Sequence, residues 1–93
     1  MNMKGNLKQL IKTIYKVEVV TEEMENIFLE VLKELTAKEE RVVRLRYGLD
    51  DGINRTYKEI GEEFGLTASR IHQITHKAVL KLHHPARSRK VVK

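Results

Sequence analysis

Leu7, Leu10, Ile11, Ile14 and Tyr15 recur at helical spacing between Lys4 and Lys16, with lysines on the other faces, which predicts a short amphipathic helix. Val17 to Val20 is β-branched and breaks that pattern, so it reads as an extended connector. Met24, Ile27, Phe28, Val31, Leu32 and Leu35 then form the strongest apolar stripe in the chain. Thr21 precedes this stripe as a helix cap, with Glu22 and Glu23 where the helix dipole favours negative charge.

Thr36 and Glu39 have capping-box spacing and predict a new helix that turns sharply away and runs to about Tyr47. Gly48 is its stop, and LDDGINR is turn-rich. Thr56 and Glu59 repeat the capping box and open a short helix that points Tyr57, Ile60 and Phe64 inward. Gly65 ends it, and Thr67 caps a last helix whose inner stripe is Ile71, Ile74, Ala78, Val79 and Leu82. A short helix, the turn Gly65-Leu66-Thr67 and a longer helix make a helix-turn-helix, with Gly61 as the small residue where the two helices cross closely. Pro85 stops the last helix, and the basic residues beyond it read as a mobile tail. The expectation is an all-α fold: an N-terminal amphipathic helix and connector over 1–20, a helical bundle with a C-terminal helix-turn-helix over 21–85, and a basic tail over 86–93.

The 93 residues suffice for one modest core. Their net charge of +5 and pI near 9.6 favour a polyanionic partner. Lys4, Lys8, Lys12 and Lys16 make the N-terminus basic, and Glu22, Glu23, Glu25, Glu30 and Glu34 make the next segment acidic. Positive charge returns in Arg70, Lys77, Lys81, Arg87, Arg89, Lys90 and Lys93, so the C-terminal third is where an anion should dock. Without cysteine there is no disulfide or thiolate metal site, and the composition suits a reducing cytoplasm. Lysines interrupt the N-terminal apolar residues, leaving no leader and no membrane span.

LTAKEERVVRLRYGLDDG, RTYKEIGEEFGLT, RIHQI and KAVLKLHHPARS occur in this order over more than half of the chain. In these segments the sequence resembles the C-terminal DNA-binding domain, region 4, of the primary sigma factors of bacterial RNA polymerase. The resemblance implies a bundle of helices with two binding surfaces. One is the recognition helix, which in the family lies in the major groove of the −35 promoter element. The other is an apolar concavity that in the family grips the flap of the polymerase β subunit, here assigned to Ile27, Phe28, Val31, Leu32, Leu35 and Val42. The expected partners are double-stranded promoter DNA and the β flap, with a separate region 2-like chain or an anti-sigma factor as further candidates, and no membrane or cofactor.

The family's recognition helix reads T-R-E-R-I-R-Q-I and this one reads T-A-S-R-I-H-Q-I. An arginine fork matches the two acceptors of guanine and a glutamate accepts from the cytosine amino group, so Ala68 and Ser69 remove two of three base readers, each worth about 1–3 kcal/mol of discrimination. The base-facing set is therefore Ala68, Ser69, His72, Gln73 and His76, with Thr75 also available, and the sequence read should be different or looser. Lys38, Arg46, Thr56, Arg70 and Lys77 remain for phosphates, while His72 replaces an arginine with an imidazole that is mostly neutral near pH 7.

His72 and His76 stand one turn apart, as in a two-histidine metal site, but without a carboxylate or cysteine to complete the set they read better as replaced DNA-facing residues. His84 belongs to the family's own HP and has a structural role. No phosphate loop is present, and Ser69 and Ser88 lack the partners of a hydrolase, so no enzyme is expected. Two other functions fit the same residues: a flap-binding modulator that competes with the resident sigma factor without reading DNA, and a dimeric helix-turn-helix repressor on palindromic sites.

Overall fold

The computed structural model describes residues 3–92, with side chains from Gly5 onward; of the positive charges expected at the two ends, Lys93 lies outside the described residues and the Lys4 side chain outside the described side chains. Within them are six helices and no strand: α1 (Met3–Tyr15), α2 (Glu22–Leu32), α3 (Ala37–Arg46), α4 (Tyr57–Phe64), α5 (Ala68–His83) and α6 (Pro85–Val91). None is long and apolar enough to cross a membrane.

Threonine sets the starts of α2 to α5. The hydroxyls of Thr36, Thr56 and Thr67 each accept from the backbone N–H three residues on, at 3.1 Å, which satisfies a donor the helix itself leaves unpaired. Glu39 and Glu59 complete two capping boxes by accepting from the N–H of Thr36 and Thr56. Thr21 caps α2 in the same way, with the Met24 sulfur standing where a carboxylate would be. Gly65 ends α4 in the left-handed region, φ +69°, which costs glycine little. α2 stops at Leu32, a turn before Leu35, yet Leu35 stays buried.

The apolar residues form two cores sharing α3 and α5. Val42 and Leu45 of α3, Ile60 of α4, and Ile71 and Ile74 of α5 make the smaller one, with Tyr57, Phe64 and Leu66 packed at its edge. Val43 on the neighbouring face of α3 and Ala78 and Leu82 further along α5 enter the larger one. A sixteen-residue helix is about 24 Å long, enough for α5 to run through both. Glu39 at the start of α3 is buried and pairs with Lys81 of α5 at 2.9 Å. Burial pushes its carboxyl up, but the bonds from Lys81 and Thr36 more than offset this and hold it below the usual range.

Much of the larger core is supplied by α1. Leu7, Leu10, Ile11 and Ile14 are buried in the same cluster as Phe28, Val31, Leu32 and Leu35 of the second apolar run. The Tyr15 hydroxyl donates to the Leu82 carbonyl at 3.0 Å and its ring meets Phe28 edge-on, with centroids 6.0 Å apart. At the other end the Asn6 amide donates to the carbonyl of Gly48. The connector leaves α1 through Lys16 at φ +56°, and of its residues Val20 is buried while Val19 is exposed.

Two expectations are corrected. Residues expected as a mobile tail over 86–93 fold as α6 as far as Val91. Pro85 starts that helix as its first residue, and the His84 ring nitrogen accepts from the N–H of Ala86, giving His84 a capping role. Val91 is buried in the larger core, and Arg87 and Lys90 reach Glu34. At Gly61 the close neighbour is the turn and not the partner helix: an added Cβ would collide with the Leu66 carbonyl oxygen.

Candidate nucleic-acid interface

The inward side of α5 is Ile71, Ile74, Thr75, Ala78 and Leu82. Helical periodicity therefore turns Ser69, Gln73, His76 and Leu80 outward, and all four are exposed. Ala68 and His72 lie on the flank toward α4, and Arg70, Lys77 and Lys81 on the flank toward the start of α3. Thr75, expected among the readers, is corrected: it is buried, and its hydroxyl donates to the Ile71 carbonyl one turn back at 2.9 Å.

On the α3 side, Thr36, Lys38, Arg70, Gln73 and Lys77 line a cleft of about 230 Å³ with Glu39 and Lys81 in its wall. Lys81 is taken by Glu39, whereas Lys38, Arg70 and Lys77 enter no ion pair among the described residues. Arg70 instead donates from Nη1 to Oε1 of Gln73 at 3.3 Å. Three of the five expected phosphate residues are thus gathered along one edge of the outward strip.

The other two lie on the α4 side, and both make contacts within the chain. Arg46 donates to the Arg55 carbonyl at 2.9 Å and lies over the Tyr57 ring at 4.1 Å. The Thr56 hydroxyl caps α4 by accepting from the Glu59 N–H, which leaves its own proton free to donate. The Tyr57 ring meets His72 edge-on at 5.1 Å, and His72 and His76 follow nearly parallel with centroids 6.5 Å apart. Tyr57 was expected only as an inward residue; its position directly after the α4 cap is the signal that it would also border the recognition helix. Among the described residues no cluster of three or more potential ligands could hold a metal ion.

The apolar set assigned to the flap is distributed differently. Phe28, Val31, Leu32, Leu35 and Val42 are buried, the first four in the core to which α1 contributes and Val42 in the smaller core. Ile27 alone of the six is partly open and lines a groove of about 300 Å³ with Val17, Val19, Met24, Val91 and Val92. The groove's charged margins are Glu23 and Lys90.

Over residues 31–84, more than half of its length, the chain matches the family described as Sigma-70, region 4. It is similar to RNA polymerase sigma factor SigA of Clostridium acetobutylicum, 56% identical over 63 residues that make up 68% of this chain and 17% of that protein. It is also similar to RNA polymerase sigma factor SigA of Bacillus sp., 50% identical over 74 residues, 80% of this chain and 19% of the relative. The chain therefore spans less than a fifth of the length of these relatives.

Proposed function

Because the chain belongs to the sigma-70 region 4 family, we propose that it lays α5 in the major groove of promoter-type DNA and, at the same time, contacts RNA polymerase. The observation that carries this reading is the outward strip of Ser69, Gln73 and His76, flanked by the unpaired cations Lys38, Arg70 and Lys77 on one side and by Tyr57 and Arg46 on the other. Phosphate contacts along such edges fix a helix in the groove, and the residues between them meet base edges. With Ala68 and Ser69 at the first turn, the sequence selected departs from the housekeeping −35 element or is looser than it.

The polymerase contact is assigned to the Ile27 edge, since α1 leaves that part of the apolar run open. A docked flap helix would touch Ile27, Met24 and Val19 and leave Phe28 and Val31 covered. Binding to the isolated β flap, measured beside selection from a randomised DNA pool, tests both halves. Flap binding with no enriched sequence favours the competing modulator over the DNA reader. An enriched sequence with no flap binding removes the polymerase from the reading. Palindromic selected sites bound by a dimer would establish the repressor instead.

A further inference from the structure

Gln73 is the long uncharged side chain in the outward strip of α5, and its orientation is not free. Its Oε1 accepts from Arg70 Nη1, one turn back on the same helix. A glutamine that recognises adenine needs both ends of its amide, the carbonyl for the N6 amino group and the NH2 for N7. In this geometry the carbonyl is turned toward Arg70, and the donor end, Nε2, bonds no other residue among those described. Nothing else among the described residues bonds the side chain of either partner.

We propose that Arg70 is a positioning residue for base recognition, which draws the Gln73 carbonyl toward itself so that the NH2 is the group offered to a base, and so selects an acceptor edge, guanine above all. The inference rests on α5 docking in the major groove as stated above. Guanine offers O6 and N7 to the two hydrogens of the NH2 group, whereas the amino groups of adenine and cytosine meet a donor where they need an acceptor. Thymine O4 accepts one bond. Arg70 has four N–H groups left after the bond to Gln73, and it stands with Lys38 and Lys77 in the cleft beside α5. A phosphate held there by these cations fixes the guanidinium, and through it the amide. The same residue then positions the helix and sets what its neighbour reads.

The test is selection from a randomised duplex pool with the full chain and three variants. Gln73→Ala identifies the base pair, as the position whose preference disappears. Wild type is expected to prefer guanine to adenine there. Arg70→Ala frees the carbonyl, and the guanine-to-adenine ratio should fall about fivefold or more, since one properly made bidentate pair is worth at least that factor. Lys77→Ala removes a charge from the same cleft without touching Gln73, and should weaken binding with the ratio unchanged. Arg70 is exposed and only its backbone N–H takes part in the helix cap, so the variants should fold, which circular dichroism verifies. If Arg70→Ala weakens all sequences equally and leaves the ratio as it was, Arg70 is a phosphate contact alone and the inference is wrong. If wild type enriches no sequence, or Gln73→Ala alters no position, the docking of α5 fails and the inference falls with it.

Discussion

Ile11→Ala asks whether α1 is part of the domain or a cover laid on it. Ile11 has no exposed surface and lies in one cluster with Phe28, Val31, Leu32 and Leu82. Truncating a fully buried isoleucine costs about 2–5 kcal/mol, transfer and cavity together. An expected loss near 3 kcal/mol would move the urea midpoint by about 1–3 M, while Lys12→Ala on the exposed face should stay within about 0.5 kcal/mol. Urea unfolding followed by circular dichroism should show one transition that shifts as a whole. A loss under about 1 kcal/mol, or a separate early transition that leaves α3 to α5 untouched, would refute the placement of α1 in the core. The functional consequence follows from the same numbers. Leu7, Leu10, Ile11 and Ile14 together represent about 6–12 kcal/mol of burial at 1.5–3 kcal/mol each. A partner bound with micromolar affinity gains about 8 kcal/mol in all. A polymerase helix that had to evict α1 from Phe28 and Leu32 would lose most of its binding energy doing so, which is the reason the contact is proposed at the open Ile27 edge.

Four further outcomes are expected. Burial pushes the Tyr15 phenol up to about 12, above its ordinary 10, so its contribution is intact below pH 10 and is lost as pH rises toward 12; Tyr15→Phe should lack that part of the alkaline slope in stability, and identical slopes would contradict the burial. Gly61→Ala drives a methyl into the Leu66 carbonyl and should cost about 3 kcal/mol or more, whereas Gly65→Ala, strained by its positive φ but facing open space, should cost about 1 kcal/mol; a reversed order in thermal melts would refute the turn geometry. Ala68→Arg with Ser69→Glu should gain preference for the housekeeping −35 sequence in competition binding, and no gain would mean that α5 docks differently. Lys77→Ala should lower the salt dependence of DNA binding by about one unit of log–log slope, while Lys81→Ala, whose cation is bonded to Glu39, should reduce stability and leave the slope unchanged; fluorescence anisotropy over a series of salt concentrations distinguishes them, and equal slopes for Lys77→Ala and wild type would refute the phosphate assignment.

What could be read from the sequence was local. Thr36 with Glu39 and Thr56 with Glu59 are capping boxes because the bonding atoms lie three residues apart, so spacing alone specifies the contact. The inward row of α5 is visible for the same reason. α6 was hidden because its evidence is distant: Arg87 and Lys90 look like solvated charge until Glu34 of another segment is brought beside them, and a lone Val91 gives no periodicity. The stripe on α1 was plain, but an apolar face does not name what it covers, and only the packing puts it over the run assigned to a partner. Thr75 misled as a polar residue on a recognition helix, since a threonine hydroxyl can satisfy itself on the preceding turn and then be buried without loss.

The pairing of charge shapes how the net of +5 is spread over the surface. Glu34 holds Arg87 and Lys90, Glu39 holds Lys81, Glu40 and Asp50 share Arg44, Asp51 takes Arg55, and Glu63 meets Arg41. The Arg55 bonds bring the Asp51 carboxyl down to about 2, and the Lys90 bond lowers that of Glu34, so these acids stay ionised and keep their cations neutralised through the physiological range. Exposed pairs of this kind contribute little stability. Their effect is on the field: cations with a carboxylate partner attract a polyanion weakly, and those without one attract it fully. Lys38, Arg70 and Lys77 belong to the second group and stand on a single flank of α5. The acidic residues of the chain thus cancel part of its positive charge away from this flank and leave the three cations of the flank uncancelled, which is the field the proposed docking of a duplex along α5 would use.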